Sequence, residues 1–514
     1  MAQPIQPYAI TAPGFMGLNT QDSSLDLSSG YALIANNCVI DQYGRIGARK
    51  GWTKVNSSSG TLGDNPVKAI GELITRDGTS YTICAGNNKI FKLVGSTLTE
   101  LTYGGGGTAP TITDSNWQFA MLLNVFVMFQ SGHDPLYFDP TVSTTTYKRI
   151  SEAATYTGTV QKSNTVIAAY GRFWHADTTT DKLTIQWCDV NSPFNYSTGT
   201  SGTLDTYLVW PKGGDTITAL AAHNNSLFIF GKKNILVYIG ANNPATMTLS
   251  DTIVGIGCIA RDTIATTGTD LIFLSDTGVR SIMRTIQEKS SPINDLSKNV
   301  RNDLISAVNA QVPSTIKAVY SPADSFYIVT IPTLATVYCF DTKGTLQDNS
   351  FRATTWDSID PRSFCFRSDG VLLMGKIGYV GQYTGYNDDT ATYRLQYFTN
   401  HSDLGDPSVT SILKKLSAVI IGGTAQIVTF KWGYDFRGDF QSATVNIPSQ
   451  GVAYYGLAEY GSTYAYSNGV ALQTLSVYPN GAGKIVQTGY ETNINGTALS
   501  IQKIEIFAKH GKLI

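Results

Sequence analysis

Charge is scarce in this chain. Asp, Glu, Lys and Arg make up 15% of 514 residues, where an average soluble protein carries about 25%. The two signs nearly cancel, 37 basic against 38 acidic residues, for a formal net charge of −1. A protein built to grip nucleic acid shows a basic excess or a basic stripe. Here the basic clusters Arg45/Arg49/Lys50, Lys232/Lys233 and Lys414/Lys415 stand isolated among neutral residues and read as solvated loop or interface charges. Long apolar runs are missing too. No stretch approaches the ~18 residues that a membrane-spanning helix needs, so no membrane span is expected. The opening MAQPIQPYAI has no charged stretch followed by an apolar one, so no secretory leader is expected.

The residues of chemistry are equally thin. The six cysteines, Cys38, Cys84, Cys188, Cys258, Cys339 and Cys365, are scattered singly, with no CxxC and no Cys/His pairing. They predict neither a zinc site nor a disulfide framework but buried, reduced thiols, made in a reducing cytoplasm. None of the five histidines has metal-ligand spacing to another His or Cys, and His175 in Arg172-Phe173-Trp174-His175 reads as a hydrogen-bonded core or loop histidine. There is no HExxH, no GxSxG and no P-loop. Gly255-Ile256-Gly257-Cys258-Ile259-Ala260 imitates a dinucleotide-binding turn, but no βαβ pattern follows it, so it reads as a turn between strand units. Ser275-Asp276-Thr277-Gly278 resembles a sialidase turn only once and lacks its Trp, so it reads as an ordinary type I or I′ turn. Asn387-Asp388-Asp389 lacks the ligand spacing of a calcium loop and reads as a solvated inter-domain loop. The expectation is a non-enzymatic protein without catalytic, cofactor-binding or metal-binding residues.

What the chain has in abundance is 49 Gly, 28 Tyr and 21 Phe, material for tight turns and pleated surfaces. From about 65 to 390 short strands alternate with turn signals. Val67–Leu73 leads through Asp77-Gly78 to Tyr81–Ala85, and Asn87-Asn88 precedes Lys89–Val94. Later, Ile217–His223 leads through Asn224-Asn225 to Leu227–Gly231. Such units recur about seven times, at intervals close to the roughly 40–50 residues of propeller blades. No WD or kelch signature repeats, so the β-propeller reading rests on rhythm, and a stack of sandwiches would show strands at similar spacing. One helix is expected near 292–308, capped by Ser291 or Asn294, with Asp295 complementing its N-terminus and Leu296, Val300, Leu304 and Val308 forming one apolar stripe.

Beyond about 392 the strands lengthen, and in Ile427–Tyr434 the residues Val428, Phe430, Trp432 and Tyr434 share one face. Seven or eight strands with Gly/Asn turns predict a β-sandwich. The Tyr- and Gly-rich stretch 450–474 reads as an exposed contact loop. The all-β chain therefore divides into an extended N-terminal segment packed on the body (1–60), a propeller-like domain (61–390) and a C-terminal sandwich-like domain (391–514). Within the first, residues 12–51 carry Phe15, Leu18, Leu25, Leu27, Tyr31, Leu33, Ile34, Val39, Ile40 and Ile46, too much apolar surface for a disordered arm. A short hairpin is expected around Asp41–Gly44, leaning on the C-terminal domain or the last blade.

The same segment carries a resemblance. Ala12-Pro13-Gly14-Phe15-Met16-Gly17-Leu18-Asn19, then Asp22-Ser23-Ser24-Leu25-Asp26-Leu27 and Gly30-Tyr31-Ala32, resembles the opening of the tail nozzle proteins, or tail tubular protein B, of short-tailed bacteriophages. Asn36-Asn37-Cys38-Val39-Ile40-Asp41 and Gly44-Arg45-Ile46-Gly47-Ala48-Arg49-Lys50-Gly51 extend it, as do Asp295–Val308 and the ending Ser500–Ile506. The resemblance implies a structural virion protein assembled in the host cytoplasm into the tail. It implies a homo-oligomeric ring, a hexamer, below the tail adaptor protein. Such a ring extends and gates the DNA ejection channel and seats tail fibres or spikes, and viral DNA passes its lumen without sequence-specific binding. Near-neutral charge suits a lumen that must not hold phosphate. The competing reading is a carbohydrate-binding or glycoside-cleaving propeller at the host surface, motivated by the Tyr and 7 Trp. An intracellular scaffold propeller is a third.

Overall fold

In the computed structural model, residues 5–211, 214–287, 295–405, 408–448, 452–453, 465–466 and 472–511 are described. The strand rhythm of the middle of the chain resolves into blades around one axis. The innermost strands are Val67–Ile74, Gln118–Leu122, Ser163–Ala169, Ile217–His223, Ala265–Thr266, Lys317–Ser321 and Ser363–Phe366. Each neighbours the next around the axis, with a 3-10 turn at Arg261–Thr263 filling in beside the short fifth one, and the seventh returns to the first. Six of these units are self-contained sheets of three to five strands. The unit begun by Lys317–Ser321 is not free: its outer strand, Arg352–Trp356, continues into a ten-stranded sheet that leaves the propeller. The expected count of about seven is thus six independent blades and one shared unit.

Turn chemistry sets the blade hairpins. Asn87 and Asn88 have φ of 49° and 55°, and Asn224 and Asn225 46° and 59°, the positive pair that a two-residue type I′ connection demands and that Asn tolerates. Because side chains alternate along a strand, each blade feeds two seams. Phe126 and Met128 face the first blade, whereas Val127 and Phe129 face the third. Leu227 and Ile229 join Trp174 and Trp187 of the third blade, while Phe228 and Phe230 join Phe273 of the fifth. A blade isolated from its neighbours would leave both faces wet, so the stack is the stable unit. The last blade is closed by the other end of the propeller segment: Trp52–Lys54 pairs antiparallel with Val380–Tyr383.

The sandwich draws on both ends of the chain. One sheet orders Cys38–Ile40, Ile46–Ala48, Leu499–His510, Ser411–Gly422 and Leu472–Val477, with Gln6–Thr11 paired along Leu499–His510. The facing sheet is the far part of the ten-stranded one: Tyr31–Asn36, Tyr393–Thr399, Val486–Ile494, Ile427–Tyr434 and Gln441–Asn446. Val428, Phe430, Trp432 and Tyr434 are all buried and face Leu416, Ala418, Ile501 and Ile504. The N-terminal segment is therefore more than a chain laid on a surface. It supplies strands to both sandwich sheets, and Cys38–Ile40 and Ile46–Ala48 form the hairpin expected around Asp41–Gly44. Phe15 is fully buried, edge-on to Tyr397 at 5.8 Å, whereas Leu25 and Ile34 remain exposed.

Two expectations need correction. The helix near 292–308 is shorter: an α-helix covers Arg301–Asn309, preceded by a 3-10 turn at Lys298–Val300, and a second α-helix, Ile282–Gln287, follows the last strand of the fifth blade. Leu296 cannot join a helix, because its N–H donates to the Val279 carbonyl and its carbonyl accepts from the Phe351 N–H, at 2.9 and 2.8 Å. Asp295 accordingly pairs with Arg301 and accepts from Ser297 Oγ instead of facing a helix terminus. Leu296, Val300, Leu304 and Val308 do share one buried side, and the helix Arg301–Asn309 packs against the last strand of the fifth blade. The proposed caps Ser291 and Asn294 lie outside the described residues, as does most of the stretch 450–474.

Candidate functional site

Among the described residues, two of the places where buried polar groups concentrate stand at structural junctions. The first is the junction of propeller and sandwich, built by the Gly44–Gly51 phrase. Ile46 and Ala48 are buried in a sandwich strand, and Arg49, the next residue, leaves it on the opposite face, toward the propeller. Arg49 is completely buried. Its Nη1 and Nη2 donate to Asp388 Oδ1 and Oδ2 at 2.8 and 2.7 Å, its Nε donates to Asn37 Oδ1 at 2.9 Å, and its Nη2 donates to Ser358 Oγ at 3.0 Å. The guanidinium also lies over the Tyr393 ring, 4.0 Å from its centroid. Asn37 ties Asp357 and the Arg394 carbonyl to the same knot. One side chain thus joins the N-terminal segment, the end of the shared unit, the loop after the last blade and the first sandwich strand.

That geometry corrects two readings: Arg49 is no solvated loop charge, and Asp388, within the inter-domain loop Asn387-Asp388-Asp389, is buried; Lys50, paired with Asp324 at 2.8 Å, stays partly exposed. Asp388 neutralises Arg49 and Asp389 neutralises Lys54 at 2.9 Å, so the carboxylates answer cations of the chain itself. Gly51 follows from the same crowding: a Cβ there would lie 1.8 Å from the Asn387 carbonyl oxygen.

The second place is the propeller axis. A cavity of about 510 Å³ runs along the inner strands, within the size range of small-molecule sites. Its wall mixes small residues, Gly71, Ala120, Ala168, Ala222 and Ala318 among them, with larger ones such as Glu72, Phe119, Met121 and Phe364. One end is closed by ions. Lys317, at the head of the sixth inner strand, donates to Asp262 Oδ2 at 2.5 Å and reaches across the axis to Asn116 beside the second. Arg261 donates to Asp262 at 2.8 and 2.9 Å, to Asn164 Oδ1 at 2.8 Å and to the Asn116 carbonyl at 3.0 Å. Burial opposes the Asp262 charge, but the Arg261 guanidinium and the Lys317 ammonium outweigh it and bring the carboxyl down to about 2. Burial lowers Lys317 despite the raising influence of Asp262. The opposite end is open, where Met121 and Ala168 are exposed.

The residues singled out by type fall elsewhere. His175 is a core histidine between the second and third blades, its Nδ1 2.8 Å from Ser163 Oγ and its ring stacked on Phe129; burial pushes it down to about 3. Gly255–Ala260 is the connection between the fourth and fifth blades, where a Cβ on Gly257 would meet the Lys232 backbone at 2.3 Å. Ser275–Gly278 is a hairpin turn. Cys365 is partly exposed and the other five thiols are buried, all six unpaired. No group of three or more His, Cys, Asp or Glu able to hold a metal occurs among the described residues. No helix among them is long and apolar enough to cross a membrane. The axial ion cluster was missed by motif reading. Its only local signal is a charged residue at the head of an otherwise apolar strand, as in Lys317-Ala318-Val319.

Neither a protein-family model nor a curated protein matches the chain. Among solved structures it is similar to a streptogramin B lyase, at 11% identity over 64% of this chain and 96% of that one, with a TM-score of 0.36. It is similar to the Neurospora crassa Pan2 WD40 domain, at 10% identity over 65% and 96%, TM-score 0.38. It is also similar to Kuenenia stuttgartiensis hydrazine synthase, at 10% identity over 61% and 95%, TM-score 0.37. At such identities the likeness concerns chain shape and carries no activity or partner across; the propeller stands on the sheet topology of the chain itself.

Proposed function

We propose that this chain is a structural subunit of the distal tail of a short-tailed bacteriophage, assembling head-to-tail into a closed ring, a hexamer, that extends and gates the DNA channel and seats fibres or spikes. The observation that carries the reading is what the resembling phrases do. Asn37, Arg49 and Gly51 are the buried knot that locks propeller to sandwich, so the resemblance falls on residues that define the two-body shape. A ring component that must bear the passage of DNA needs such rigid coupling, and a closed ring needs two different faces on each subunit, which an asymmetric propeller–sandwich body supplies. In this reading the DNA path lies between subunits: the propeller's own axis is bridged by Lys317, Asp262 and Arg261.

The carbohydrate reading keeps only its tyrosines, of which Tyr43, Tyr207 and Tyr478 are exposed. All seven tryptophans, Trp52, Trp117, Trp174, Trp187, Trp210, Trp356 and Trp432, are buried and offer no exposed face for a sugar to stack on. The test is direct. Mass spectrometry of purified particles should detect the chain at about six copies per tail if the ring closes head-to-tail as proposed, and particles made without it should lack the tail's distal end on negative stain. Its absence from particles, or its isolation as a monomer with glycan-binding activity, would refute the proposal.

A further inference from the structure

The chain contains three Asn-Gly pairs, Asn468-Gly469, Asn480-Gly481 and Asn495-Gly496. The first lies outside the described residues. In such a pair no side chain shields the glycine nitrogen, which can close on the Asn side-chain carbonyl carbon to form a five-membered ring. The nitrogen must first give up its proton, and negative charge then builds on the oxygen of the same peptide group. Two local conditions therefore govern the reaction. The Gly N–H must be free of an acceptor, and donors must face the peptide oxygen.

The two described pairs differ on both counts. Asn480-Gly481 lies in the connection between the sandwich strands Leu472–Val477 and Ala482–Gly483, and both residues are exposed. The Asn480 carbonyl accepts from Tyr434 Oη at 2.9 Å and from Trp432 Nε1 at 3.1 Å. Both donors are buried side chains of the strand Ile427–Tyr434. They are fixed before any charge forms, and donors held in that way stabilise developing charge strongly. Neither the Gly481 N–H nor the Asn480 side chain has a hydrogen-bond partner among the described residues. Asn495-Gly496, in the connection between Val486–Ile494 and Leu499–His510, is the reverse. The Gly496 N–H donates to Asn387 Oδ1 at 2.6 Å and to the Tyr386 carbonyl at 3.2 Å. Among the described residues no donor faces the Asn495 carbonyl.

We propose that Asn480 is a site of spontaneous modification, at which the Gly481 nitrogen closes on the Asn480 side chain while Tyr434 and Trp432 stabilise the charge on the reacting peptide group. The bond from the Gly481 nitrogen to Asn480 Cγ forms, the Cγ–NH2 bond breaks, and ammonia leaves with the proton of the Gly481 N–H. Water then opens the ring. At the side-chain carbonyl it yields aspartate, and at the backbone carbonyl isoaspartate, with one extra carbon in the main chain. Either product adds one negative charge at the rim of the sandwich. The site does not rest on the ring-subunit reading. Peptide mapping by mass spectrometry tests it, on the full chain held folded in mildly alkaline buffer, with aspartate and isoaspartate separated by fragmentation. Asn480 should convert at least about tenfold faster than Asn495, the rate equivalent of one hydrogen bond. In urea, where both pairs lose their surroundings, the two rates should come together. Tyr434→Phe keeps the ring that packs over Gly481 and Gly483 and removes the donor; it should slow Asn480 by about tenfold. Asn387→Ala, which takes the nearer acceptor from the Gly496 N–H, should speed Asn495 and serves as the second variant. No conversion of Asn480 in the folded chain, equal folded rates at Asn480 and Asn495, the same rate ratio in urea, or an unchanged Asn480 rate in folded Tyr434→Phe would each overturn the proposal. So would an unchanged Asn495 rate in Asn387→Ala.

Discussion

Arg49 and Asp388, 339 residues apart, form a two-bond ion pair at 2.8 and 2.7 Å, with the guanidinium wholly out of solvent. Removing one member of a buried pair leaves the other charge uncompensated, which costs roughly 3–5 kcal/mol. Arg49→Met and Asp388→Asn should each lower stability by about that amount in urea unfolding. Arg49→Lys should recover only part of it, because a lysine cannot donate to both carboxylate oxygens in a fork. Wild-type stability in Arg49→Met would show that the knot is not a joint.

Gly51 makes a second test of the junction, free of charge effects. With a Cβ 1.8 Å from the Asn387 carbonyl oxygen, Gly51→Ala must displace backbone, and overpacking of this kind costs about 1–3 kcal/mol. Gly106→Ala, at an open position with nothing near its Cβ, is the control and should melt close to the parent. The two melting temperatures by circular dichroism decide the point.

Deleting residues 1–51 should destabilise the whole protein and not merely its assembly. The deletion removes Gln6–Thr11, Tyr31–Asn36, Cys38–Ile40 and Ile46–Ala48 from both sandwich sheets, exposing the strands they cover. It also removes Arg49. The truncated chain is expected to be largely insoluble, or to unfold without a single cooperative transition. A soluble truncation melting cooperatively at the parent temperature would make the segment a detachable arm.

His175 predicts a pH dependence. Its neutral form is the one the core accepts, and burial brings it from an ordinary value near 6.5 to about 3. Below pH 6.5 the unfolded chain takes up a proton that the folded chain refuses, so stability falls as pH drops from 6.5 toward 3, by up to about 1.4 kcal/mol per pH unit. Between pH 6.5 and 4.5 the usual carboxylates contribute little, and His401, also lowered by burial, is the companion group. His175→Asn should flatten that limb measurably in urea unfolding at a series of pH values. An unchanged slope would place the proton uptake elsewhere.

What the chain determined by itself was local. The Asn87-Asn88 and Asn224-Asn225 turns, the alternation in Ile427–Tyr434 and the blade rhythm were legible because each depends on residues within one hairpin or one strand. The apolar stripe Leu296–Val308 was legible as a buried side but not as a helix of that length, since long-range bonds to Val279 and Phe351 hold Leu296 extended. Which strands pair across hundreds of residues was decided only by the tertiary structure. The same is true of the blade fused to the sandwich, of the closure of the last blade by Trp52–Lys54, and of the partnerships of Arg49 with Asp388 and of Lys317 with Asp262. The physical reason is that periodicity records which face of a segment avoids water, while the identity of the surface that covers it depends on burial and charge compensation between segments that meet only once the chain has closed on itself.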